Sequence, residues 1–198
     1  MADLVPTTPY RDLTVAEVAR VARTSPATFY QYFPDVEAAV VELAEDVADA
    51  GAARLVAQVR RTAWHGPDGY AGVLALVDEI LAFWDEHQAV LRIIDLATAE
   101  GNHRFSEVRN RLIGELAAGL AAAVRVAQSA GQVPADVSAR SVAGVVAAML
   151  AHVAGHRLGA ELWGVRTADL RTTMARTLYW SVTGRHVSPP PPRRSSRR

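Results

Sequence analysis

The stretch TSPATFYQYFPD, Thr24 to Asp35, concentrates groups that can hold a nucleic acid. Ser25, Thr28, Tyr30 and Tyr32 carry hydroxyls and Gln31 an amide, which suits them to phosphate oxygens and base edges. Phe29 and Phe33 lie four apart, so on a helix they share a face and are expected in the core. Farther on, His152 and His156 also stand four apart and could hold a metal ion. No third ligand of the zincin type accompanies them, so the reading is a packed or pocket-lining pair and no metal site. No nucleophile motif, phosphate loop or paired-carboxylate arrangement argues catalysis, and no cofactor is implied; the chain is read as a non-enzyme.

These side chains need short, well-terminated helices to aim them. Thr14 is an N-cap candidate, and Glu17 three residues later completes a capping box. Val15, Val18, Ala19 and Ala22 then form a brief apolar face. After a tight break, Ser25 can cap the next helix, and Pro26 at its first position forfeits no helical hydrogen bond. Two short helices joined by a tight turn form a helix-turn-helix, whose second helix enters the DNA major groove.

Beyond it, apolar residues keep helical spacing and alternation of the strand type is scarce. Breaks at Thr24–Pro26, Pro34, His65–Pro67, Glu100–Asn102, Gly131–Pro134 and Gly164 divide the chain into helices. The expected spans are 14–22, 26–32, 35–63, 68–86, 88–100, 103–130, 136–161 and 167–183, an all-α fold. The domain expectation is a head over 1–40, a helical domain over 41–184 and a tail over 185–198. That tail, ending SPPPPRRSSRR, favours an extended, disordered chain with nothing apolar to bury.

Half of the 198 residues are hydrophobic, enough for a packed core. The absence of Cys excludes disulfides, thiolate metal sites and cysteine nucleophiles. All 21 basic residues are Arg, balanced by 21 acidic ones, and with the Ala and Val content this suggests GC-rich bacterial coding. No signal-peptide pattern is present and no uncharged apolar run of about 20 residues is seen, so a cytoplasmic protein without membrane contact is expected.

The segment Leu13-Thr14-Val15, Val18-Ala19 and Ser25-x-x-Thr28-Phe29-Tyr30-x-Tyr32-Phe33-Pro34 resembles the DNA-binding region of the TetR family of bacterial transcriptional regulators. The long helix and the five that follow also look like that family. The resemblance implies double-stranded DNA of pseudo-palindromic sequence as a partner. Ser25, Pro26, Ala27, Thr28 and Gln31 would face base edges or adjoining phosphates. Tyr30, Tyr32, Thr14 and Arg23 would contact the phosphate backbone. It also implies an inducer pocket, for which Val73, Val77, Ile80, Trp84, Leu91, Ile94, Leu112, Leu116, Leu120, Met149 and His152 are the candidates. Periodicity alone reads the apolar ones as a core stripe. An apolar lining implies a hydrophobic or amphipathic small molecule. The last two helices, with Leu170, Met174 and Leu178, would form the interface of a homodimer. The whole reads as a ligand-responsive regulator, more in the manner of a repressor.

Three departures from the family pattern qualify this. Only Met1 to Asp12, with Pro6 and Pro9, precede the motif where the family has a full helix. A start codon lying farther upstream or a truncated head would account for it, and Val18, Val21, Phe29 and Phe33 are then expected to be left exposed. Arg23 stands where the turn usually has Gly to reach the left-handed region. Val36 stands where a phosphate-directed Lys is usual, and the first 40 residues hold more acidic than basic groups. The alternative is therefore a TetR-like dimer that binds a ligand or a protein and no longer reads DNA.

Overall fold

Thr14, Ser25, Asp35, Asn102 and Ser138 each start a helix by accepting a backbone N–H with a side-chain oxygen. A computed structural model describes residues 10–186, and these are helical, with no strand among them. After a single turn of 3-10 helix at Tyr10–Asp12 come α1 (Val15–Val21), α2 (Pro26–Tyr32), α3 (Val36–Arg61) and α4 (Gly69–Glu86). They are followed by α5 (Gln88–Ala99), α6 (His103–Ser129), α7 (Ala139–Glu161) and α8 (Thr167–Thr183). The expected spans agree within a few residues. The exception is α7, expected from 136, where Ser138 sets the start by accepting from the Ser141 amide at 3.3 Å. Of the expected tail only Arg185 and His186 fall within the described residues.

The core is organised around α6, which packs against α3, α5, α7 and α8, while α4 lies against α3 and α8. Phe83, Phe105, Leu55, Leu76, Ile80, Leu116, Leu120 and Leu150 are all but sealed from solvent. Burying each such side chain contributes roughly 1.5–3 kcal/mol. Helix α3 approaches α4 so closely that a Cβ on Gly51 would sit 2.3 Å from Cζ of Phe83. Arginines lace the helices at the rim: Arg54 pairs with Glu79 and Glu86, Arg111 with Glu45 and Asp49, Arg157 with Asp85, and Arg171 with Asp78.

By length and composition α6 and α7 are apolar enough to cross a membrane. The sequence expectation missed them because it asked for an uncharged run. In this fold each lays its apolar stripe against neighbouring helices.

Head and bundle share α3. Ala39 packs with Val18 and Phe29 in a small separate cluster, whereas Val40 and Val41 belong to the main core, as does Leu13 from before α1.

Candidate functional site

At the end of α1 the chain turns through a Schellman arrangement. The Thr24 amide donates to the Ala19 carbonyl at 2.9 Å and the Arg23 amide to that of Arg20 at 3.2 Å. Arg23 takes φ of +53°, alone among the described non-glycine residues in being positive. The same bond pattern recurs at Gly101 and Gly131, where glycine supplies the conformation. The left-handed turn inferred for Arg23 is thus present, with its guanidinium exposed.

Helix α2 is then launched by Ser25, whose hydroxyl accepts from the Thr28 amide at 3.1 Å and is hydrogen-bonded to the Thr28 hydroxyl at 2.9 Å. Phe29 turns inward, edge-on to Tyr30 at 5.7 Å and tilted against Phe33 at 5.4 Å. Tyr30 is 58% and Tyr32 75% exposed, and Pro26, Ala27 and Gln31 are exposed with them. Neither tyrosine hydroxyl nor the Gln31 side-chain amide has a hydrogen-bond partner among the described residues. Exposure expected at Val18 and Phe29 is not found: both are 5% exposed, packed on Ala39, Val15 and Phe33. Val21 and Phe33 are half-buried.

Thr14 is committed to its cap. Its hydroxyl donates to the Glu17 carboxylate at 2.8 Å and accepts from the Glu17 amide at 3.3 Å, while its own amide donates to that carboxylate at 3.0 Å. These bonds, with Thr14's hydroxyl contributing most, hold the Glu17 carboxyl below the ordinary glutamate value. A phosphate contact from the Thr14 hydroxyl would have to displace Glu17. Val36, in the usual lysine position, is half-buried against the main core, so it serves the junction between head and bundle.

In the bundle a cavity of about 540 Å³ opens between the end of α4, the face of α5 and the C-terminal half of α7. A second, of about 220 Å³, continues toward α6. The two share Trp84, Leu91, Asp95, His152 and His156. Of the sequence candidates, Trp84, Leu91, Ile94, Leu112 and His152 border this space. Val73, Val77, Ile80, Leu116 and Leu120 do not; they are at most 1% exposed and fill the core where α4 and α6 meet their neighbours. Met149 is half-buried against the same core and lines neither cavity.

Sequence reasoning passed over Gln88, Arg92, Asp95, Gly155, Gly159 and Trp163, which also line it. The spacing of Gln88, Arg92 and Asp95 along one side of α5 was a usable signal, hidden because only apolar stripes were followed. His152 and His156 stack with ring centroids 4.3 Å apart, and His156 Nδ1 donates to the His152 carbonyl at 3.0 Å. Among the described residues no group of three or more His, Cys, Asp or Glu could hold a metal ion.

The candidates for a dimer contact need correction. Met174 and Leu178 are buried inside the chain, 3% and 0% exposed, and Leu170 is half-buried, because the apolar stripe of α8 faces α4, α6 and α7. The outward side of α7 and α8 instead carries Val145, 71% exposed, Ala148, and Trp180, 55% exposed.

A helix-turn-helix carried by a long helix into an all-helical bundle with an open cavity between its helices is the architecture of a helical transcriptional regulator. Residues 55–189 match the family described as tetracyclin repressor-like, C-terminal domain. The match spans more than half of the chain, and the chain belongs to the TetR family. The fold is similar to that of the fatty acid degradation regulator FadR from Bacillus halodurans, with a TM-score of 0.66 and 14% identity, over 93% of this chain and 95% of that one. No curated protein matches.

Proposed function

We propose that this protein is a cytoplasmic, homodimeric transcriptional repressor that binds double-stranded DNA and responds to a small molecule. The observation carrying the DNA role is the outward face of α2, where Tyr30, Gln31 and Tyr32 stand exposed and unbonded over a Phe29 anchor. Tyrosine hydroxyls on phosphate would set register, and Thr28 and Gln31 would read base edges, Gln31 suiting adenine and Ala27 a thymine methyl. Residues 1–40 form the reading head and 41–184 the ligand and dimer domain, with α3 joining them.

The larger cavity at α5 and α7, about 540 Å³, lies within the size range of about 300–1,000 Å³ that suits small ligands. Two copies would meet through Val145, Ala148 and Trp180, giving a two-fold dimer suited to a pseudo-palindromic operator. A ligand changes DNA affinity only by binding the two head arrangements unequally. The test is retention of DNA flanking the protein's own gene at low salt. Specific retention, lost on Thr28→Ala with Tyr32→Phe, is expected. Absence of specific retention, in the chain and in one extended at its N-terminus, would overturn the reading.

A second reading, of a ligand- or protein-binding dimer that no longer reads DNA, is favoured by Val36 turning into the core and by the acidic balance of the head. Under it, the Thr28→Ala, Tyr32→Phe variant retains the full cellular effect.

A further inference from the structure

The polar groups at the α5–α7 cavity are unequal in a way that selects a charge. Its one carboxylate, Asp95, is already taken by Arg109 on α6, Nε to Oδ1 at 3.0 Å. Arg92, one turn earlier on α5, lines the larger cavity and has no ion-pair or hydrogen-bond partner among the described residues. Trp84 is 6% exposed, and its indole Nε1 would lie 3.5 Å from a Cβ on Gly155, beside the cavity wall, with no acceptor among the described residues. The Gln88 side chain borders the same space without a partner among the described residues. An unbalanced guanidinium and two unused donors thus face a wall whose acceptor is engaged. His152 and His156 add two imidazoles, stacked on each other, and Leu91, Leu96, Leu158 and Trp163 supply the apolar surface.

We infer that the cavity takes an amphipathic anion: a carboxylate-class head held by Arg92, with Trp84 Nε1–H as a second donor, and an aliphatic chain along the leucines. The inference rests on the reading of this cavity as the ligand site. A charge-assisted hydrogen bond to Arg92 is stronger than a neutral one and discriminates by head group. A cation drawn to Asp95 would have to share its carboxylate with Arg109. A neutral alcohol would leave Arg92 as it is in the empty cavity.

The experiment is calorimetric titration of the full chain with octanoate, octanol and octylammonium. Octanoate should bind at least about tenfold more tightly than octanol, the gain expected from one charge-assisted bond. Octylammonium should be weakest. Arg92→Gln, at an exposed position of α5 on the cavity, should bring octanoate down to the octanol level and leave octanol unchanged. Equal affinity for octanoate and octanol, or an octanoate affinity indifferent to Arg92→Gln, overturns the inference while the cavity remains a ligand site. Tightest binding by octylammonium also overturns it and gives the head-group site to Asp95. No binding by any of the three overturns both the inference and the reading of the cavity.

Discussion

Arg11, just ahead of the helix-turn-helix, is ion-paired with Glu100 at the end of α5, 89 positions along the chain. A second, looser contact joins Arg104 of α6 to Glu37 of α3 at 3.9 Å. The helix that carries Arg92 and Asp95 on the cavity therefore ends at a residue holding the head. From Arg92 to Glu100 is about 12 Å of helix at the usual rise. A ligand that shifts α5 would shift Glu100 and pull on Arg11.

The pair is exposed, so its removal should scarcely alter folding. Arg11→Ala with Glu100→Ala should change unfolding free energy by less than about 1 kcal/mol. The expected loss is in coupling: the difference in DNA affinity with and without a saturating cavity ligand should shrink. DNA retention measured at both ligand concentrations, alongside a denaturant titration, separates the two effects. Unchanged coupling in the double variant would remove this contact from the route between sites.

Arg23 occupies a conformation that glycine occupies without strain. Arg23→Gly should stabilise the head by about 1 kcal/mol, since the left-handed region disfavours a side chain by that order. Hydrogen exchange of the α1 and α2 amides should slow accordingly. If the guanidinium also meets a phosphate, the slope of DNA affinity against salt should fall by about one unit. The two readouts are independent, because one is taken without DNA.

What was legible in the sequence was local. Thr14 with Glu17, and Ser25 with Pro26, announce helix starts within four residues, and the Phe29–Phe33 spacing gives the buried side of α2. The fold class followed from helical periodicity, and the family from the motif around Thr28–Pro34. What was not legible depends on tertiary contact. Helix α8 is apolar on two sides, and only packing shows that Met174 and Leu178 go inward while Trp180 goes out. Val73 and Ile80 read equally as core or cavity wall until α4 is set against its neighbours. The cavity itself exists where Gly155 and Gly159 face α5, and no periodicity marks such a gap.

Gly51 on α3 is required by its neighbour. A methyl there would overlap the ring of Phe83 and touch Cδ1 of Leu112 at 3.0 Å. The helix gains propensity from alanine, but only about 1 kcal/mol. Forcing Phe83 to move in a close-packed core costs roughly 1–3 kcal/mol, and the overlap is severe, so the net sign is destabilising. Phe83 also meets Trp84 edge-on with centroids 5.4 Å apart, so the disturbance should reach the cavity. Gly51→Ala should lower the urea midpoint and weaken octanoate binding together.

The Thr14–Glu17 box gives the head a pH dependence of known sign. The folded carboxyl lies below its ordinary value, so as pH falls the unfolded state takes up the proton first. The stabilisation is complete above the ordinary glutamate value and is lost as pH falls below it, through the folded one. Amide exchange in α1 should accelerate across that range. Thr14→Ala should flatten the dependence, because Glu17 then has no cap to lose. An unaltered profile in Thr14→Ala would assign the dependence to another carboxylate.

Val145 on α7 and Trp180 on α8 are large apolar side chains left in water on two helices that pack against each other. Their exposure in one chain is what a self-complementary interface predicts, since a two-fold contact buries the same patch on both copies. Val145→Arg with Trp180→Arg should leave the fold intact, because neither side chain belongs to the core. It should convert a dimer to a monomer in light scattering after size exclusion. DNA retention should weaken in parallel, since two half-sites would no longer be engaged by one particle. Met174→Ala serves as the contrast. It should lower stability by about 2–5 kcal/mol, as buried Met truncations do, and leave any folded protein dimeric. A double arginine variant that remains dimeric would place the contact elsewhere on the surface.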